Sequence, residues 1–96
     1  MKYMVTWSAR PGMMEEAVKR FLTLGDMNPP GSNVLARWHK ADCSGGVTIW
    51  ESDDPQAMYE IAARWSGILE MRTDVVLEDA GIAGIWAKVL AKETQA

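Results

Sequence analysis

Apolar residues along this chain recur at intervals of two in some stretches and of three to four in others, and the switches between these periods predict its elements. From Lys2 to Ser8, Tyr3, Val5 and Trp7 alternate with Met4, Thr6 and Ser8, as in a strand. After Arg10, Pro11 and Gly12 the interval lengthens, and Met14, Ala17, Val18, Phe21 and Leu22 make one helical stripe. Glu15 and Glu16 suit the dipole of its first turn, Lys19 and Arg20 follow at pairing distance, and Gly25 is a natural stop. The segment Asp26 to Ser32, with Pro29 and Pro30 adjacent, is a loop. Alternation resumes from Asn33 to Lys40 and from Val47 to Glu51, two strands joined through Asp42, Cys43, Ser44, Gly45 and Gly46. Asp54 before Pro55 opens a second helix with the stripe Met58, Ile61, Ala62, Trp65, Ile68 and Leu69. Glu70 to Leu77 reads as a fourth strand. Asp79 then caps a last helix striped by Ile82, Ile85, Trp86, Val89 and Leu90, with Glu93 to Ala96 expected to fray.

The resulting order, strand, helix, strand, strand, helix, strand, is the ferredoxin-like split β-α-β arrangement with an extra C-terminal helix. The expected fold is α+β: a four-stranded antiparallel sheet with both long helices on one face. It forms a single domain, 1–78 being the βαββαβ core and 79–96 the added helix. By hydrophobicity, Val5, Trp7, Val34, Ala36, Trp38, Val47, Ile49, Val75 and Leu77 are expected beneath the helices. Met4, Thr6, Leu35, Arg37, His39, Thr48, Trp50, Arg72, Asp74 and Val76 are then expected on the open face. An open face carrying Trp50, Met4, Leu35 and Val76 needs a cover. A second copy, stacked sheet to sheet at about 10 Å, is the simplest one, giving a dimeric α+β barrel.

Composition narrows the function classes. A chain of 96 residues with 48% hydrophobic content and five Trp supports one real core. Ten Lys and Arg against thirteen Asp and Glu, scattered along the chain, give a net charge of -3 and make nucleic acid an unlikely partner on electrostatic grounds. The start has no continuous apolar stretch of a signal peptide or membrane span. Cys43 is the only cysteine, so no intrachain disulfide is possible, and a reducing cytoplasm is the expected compartment. With His39 as the only histidine, no standard zinc set exists and no metal or cofactor is implied. The glycines lack the context of a phosphate loop.

The opening Met1 to Ser8 with Arg10-Pro11-Gly12, the strand Arg37-Trp38-His39, Ser44-Gly45-Gly46, and Glu51 to Pro55 with Tyr59, Trp65 and Ser66 together carry a resemblance. From residue 1 to about Glu78 the chain is similar to a small bacterial family catalogued as a domain of unknown function within the dimeric α+β barrel superfamily. The resemblance implies a ferredoxin-like homodimer. It implies no reaction, because the wider superfamily includes cofactor-independent monooxygenases, haem-degrading enzymes, lactone isomerases and proteins with no known activity.

The residues themselves suggest one candidate site. His39 is an acid or base by chemistry, and alternation sets it beside Arg37 on the expected open face. Arg37 suits an enolate or carboxylate, Thr6 a hydrogen bond, Trp50 a flat ring, and Asp74 the orientation of His39. These residues predict a homodimer that binds a small aromatic or carbonyl-bearing molecule between its sheets, with proton transfer or cofactor-independent oxygenation as candidate reactions. The plainer reading of the same residues is an interfacial Arg37–Asp74 ion pair with His39 at a strand end. On that reading the protein is a non-catalytic assembly module with a filled interface, and the pattern leaves enzyme status open. A single histidine specifies no haem site. Trp7, Trp38, Trp65 and Trp86 fall on packing stripes and are expected in the core, Trp50 at the interface or a pocket. Cys43 lacks a base or cation and is expected to be a bystander.

Overall fold

A computed structural model describes the backbone of residues 1–95 and the side chains of residues 1–92. The segment expected to fray, Glu93 to Ala96, therefore lies outside the described side chains. The described elements run β1 (Lys2–Ala9), α1 (Met14–Leu24), β2 (Ser32–His39), β3 (Gly45–Ser52), α2 (Pro55–Trp65), β4 (Leu69–Val76) and α3 (Asp79–Gln95). All pairings are antiparallel, and the strand order β2-β3-β1-β4 is that of the split β-α-β arrangement.

Local chemistry accounts for most boundaries. Asp54 caps α2 by accepting a hydrogen bond from the Gln56 backbone N–H at 2.9 Å, and Pro55 occupies the first helical position. Gly25, at φ 66°, ends α1, and its N–H donates to the Phe21 carbonyl. The second helix is shorter than its apolar stripe predicts: Ile68 lies in the turn after it and Leu69 opens β4, both buried.

The core joins Tyr3 and Val5 of β1, Trp50 of β3, Ala17 of α1, and Met58, Ile61 and Trp65 of α2 to Ile68 and Leu69. Both helices thus cover one face. β1 and β4 present the faces that alternation predicts: Tyr3, Val5 and Trp7 point inward with Met71, whereas Met4 and Thr6 pair with Asp74 and Arg72 on the other side. Val75 shares the inner parity but is 52% exposed, and Leu77, beyond the strand, is also exposed.

The other two strands correct the expected faces. In β3, Thr48 and Trp50 are buried beneath the helices while Val47 and Ile49 face outward. The register explains it, because Gly46, Thr48 and Trp50 stand opposite Trp7, Val5 and Tyr3, all inner residues. Hydrophobicity alone cannot see this arrangement, in which two small residues leave room for the Trp7 indole and the Trp50 indole fills the remaining volume. In β2 a bulge is inserted at Leu35: Val34 pairs with Trp50, but Ala36 pairs with Ile49. The extra residue reverses the parity of everything after it, so Arg37 and His39 turn inward and Ala36 and Trp38 outward. Trp38 is consequently 60% exposed rather than core.

Among the described residues of α3 none is buried, and Trp86, also expected in the core, is exposed. The radius of gyration is 17.2 Å, against about 12.5 Å for a compact chain of this length. The last helix therefore extends beyond the two-layer core. Among the described residues no helix is long and apolar enough to cross a membrane.

Candidate functional site

α2 packs directly on β3 and β4, whereas Ala17 is the sole fully buried residue of α1. Between α1 and the inner sheet face lies a cavity of about 420 Å³, in the size range of small-molecule sites. It exists because small residues, Ala17, Gly45 and Thr48, share its wall with the large rings of Trp7, Trp50 and Trp65. Phe21 and Met14 of α1 and Met71 of β4 complete a mainly apolar lining.

Few polar groups enter this wall. Arg37, turned inward by the bulge, forms an ion pair with Asp26, and its guanidinium lies 4.8 Å from the centre of the Phe21 ring. Asp26 is held in turn through its backbone carbonyl, which accepts a hydrogen bond from the Trp65 indole at 3.5 Å. Thr48 accepts a hydrogen bond from the Trp7 indole N–H at 3.3 Å, so two inward polar groups satisfy each other. The His39 imidazole packs edge-on against Trp7, with ring centroids 5.4 Å apart. His39 is solvent-exposed, and its ring nitrogens have no hydrogen-bond partner among the described residues.

The hairpin between β2 and β3 forms the rim. Cys43, at φ 66°, and Lys40 both line the cavity there. The Asp42 carboxyl is held below its ordinary range first by hydrogen bonds from the Ser44 hydroxyl and backbone N–H, and in smaller part by the charge of Lys40.

The structure divides the residues that sequence reasoning grouped. His39, Arg37 and Trp50 all line the cavity under the helices, so they do not build a site between two sheets. Thr6 and Asp74 lie on the opposite face, where Asp74 pairs with Arg72 at 3.1 Å and is out of position to orient His39. The interfacial Arg37–Asp74 pair is likewise replaced by Arg37–Asp26. Sequence reasoning missed Asp26, Phe21 and Thr48. No local signal marks Asp26 as Arg37's partner, because the contact crosses from the loop after α1 to β2. Among the described residues no cluster of three or more His, Cys, Asp or Glu side chains is placed to hold a metal.

No curated protein matches this chain. A crystal structure of PA3566 from Pseudomonas aeruginosa is similar to it at 16% identity and a TM-score of 0.48, over 80% of this chain and 93% of that one. A family model described as a domain of unknown function (DUF3303) matches residues 1–90, nearly the whole length, and the chain therefore belongs to that family.

Proposed function

We propose that this protein binds a small, mainly apolar molecule, aromatic or carbonyl-bearing, in the cavity between α1 and the sheet. The single observation behind this reading is a preformed space of about 420 Å³ whose apolar wall is interrupted by only a few convergent polar groups. Trp50 and Phe21 offer flat surfaces to a ring. His39, which lines the cavity and packs edge-on against Trp7, is the group that would exchange a proton with a bound hydroxyl or carbonyl compound. Arg37 contributes directional N–H donors rather than a free charge, since Asp26 already faces it.

The test is thermal stabilisation by a panel of phenols, quinols, aryl ketones and lactones, run in parallel on Val18→Trp. Val18 lines the cavity yet is 46% exposed, so a larger ring there narrows the space without entering the core. Wild-type protein should be stabilised by some panel member in a saturable way, and the variant should respond more weakly. Absence of any wild-type response, or an equal response in the variant, overturns the reading.

The outer sheet face supports a second property, homodimerisation into an α+β barrel. Trp38 and Leu35 are 60% and 48% exposed, and Met4, Ala36, Val47 and Ile49 share or adjoin that surface. Inverting β3 and the end of β2 makes this face more apolar than hydrophobic alternation alone implied. Binding and assembly no longer compete for one surface, because the cavity and the proposed interface use opposite sides of the sheet. Sedimentation at micromolar concentration should show a dimer that Trp38→Glu dissociates, and a monomeric wild-type protein would refute it. A reducing cytoplasm is the compartment proposed for a chain whose lone thiol, Cys43, is exposed.

A further inference from the structure

We infer that the cavity selects uncharged ligands, and that Asp26 is the residue that sets this preference by neutralising Arg37 from within the wall. The inference rests on the binding reading above and names the ligand class it admits. An arginine in an apolar pocket ordinarily marks a site for carboxylates, because its planar donors match two carboxylate oxygens. Here the position of that carboxylate is already filled. Asp26 forms the ion pair with Arg37, both side chains being only 20–25% exposed, and the Trp65 indole fixes Asp26 through its carbonyl. Phe21 lies against the guanidinium and limits its freedom to swing toward a different partner.

The other cation lining the cavity sits at its rim, in solvent. Lys40 is exposed and close enough to Asp42 to depress its carboxyl. An anion entering the cavity would have to displace Asp26 and leave that carboxylate partly buried without its cation. An incoming cation would meet the same obstacle at Arg37. A neutral ligand leaves the Arg37–Asp26 pair intact, and the Arg37 N–H groups, Thr48 and His39 remain available for its carbonyl or hydroxyl oxygen.

Three molecules of nearly the same shape test this: benzoate, benzamide and benzamidine, which are anionic, neutral and cationic at neutral pH. Their affinities are measured by calorimetry or ligand-observed NMR on wild type, Asp26→Asn and Arg37→Gln, each checked for native circular dichroism. Wild type should bind benzamide about tenfold or more tightly than either charged molecule. Asp26→Asn should shift the benzoate-to-benzamide ratio about tenfold toward benzoate, and Arg37→Gln should shift the benzamidine-to-benzamide ratio about tenfold toward benzamidine. Either variant suffices if the other fails to fold. Benzamide binding with no preference in wild type, or with unchanged ratios in a folded variant, overturns the inference alone. No binding of any of the three molecules to any of the three proteins overturns the cavity reading and takes this inference with it.

Discussion

Gly46 lies directly against the Trp7 indole: a Cβ built on Gly46 would stand 2.6 Å from Trp7 Cζ2, and closer still to the Trp38 carbonyl oxygen. The two residues pair across β1 and β3, so one strand's missing side chain makes the space that the other's ring occupies. A carbonyl oxygen of the sheet cannot move aside as a flexible side-chain end can. Gly46→Ala should therefore destabilise the fold by about 1–3 kcal/mol, read from urea denaturation. A neutral effect would show that the strands do not approach this closely.

Trp50 and Trp38 test the sheet faces directly. Trp50 is 3% exposed in the core and Trp38 is 60% exposed on the outer face. Trp50→Ala should cost about 3–5 kcal/mol. Trp38→Ala should act on stability chiefly through self-association, visible as a weaker dependence of the unfolding midpoint on protein concentration. The reverse pattern of costs would restore the faces expected from hydrophobic alternation.

The cap of α2 is a separable contribution. Asp54 accepts the Gln56 N–H at 2.9 Å, and Asp54→Ala removes that acceptor at an expected cost of about 0.5–2 kcal/mol. Asp54→Asn keeps an acceptor in place and should recover most of the loss in the same denaturation measurement.

Lys2 and Glu78 form an ion pair that ties β1 to the segment leading into α3. A side-chain hydrogen bond and the opposite charge lower the Glu78 carboxyl and raise the Lys2 ammonium from their ordinary values. A lowered carboxyl contributes stability above its unfolded-state pKa, and loses it as pH falls through its folded value. A raised ammonium contributes below its unfolded-state pKa, and loses it as pH rises through its folded value. The stability difference between wild type and Glu78→Gln should accordingly be greatest between the carboxylate and lysine titration ranges. It should shrink in acid and in strong alkali, and fall with added salt because the pair is exposed. A difference flat across pH would exclude the pair as its cause.

The candidate site was only partly legible in the amino-acid order. His39, Arg37 and Trp50 do lie together around a cavity. Hydrophobic alternation groups them with Thr6 and Asp74, however, through a face assignment that the bulge at Leu35 and the register of β3 reverse. Asp26 illustrates the remaining gap, since its role depends on a side-chain contact between a loop and a strand that no spacing in the chain encodes.

The order of elements, their periods, the cap at Asp54 and the stop at Gly25 were determined by the sequence itself, because each depends on interactions between residues a few positions apart. Tertiary structure decided which way the end of β2 and all of β3 face. A strand's repeat is two, so one inserted residue exchanges its sides without altering composition, and only the neighbouring strand's register shows where the insertion falls. Placing Arg37 beside Asp26, and leaving space between α1 and the sheet, followed from that choice and from the fit of large rings against small residues across elements distant in the chain.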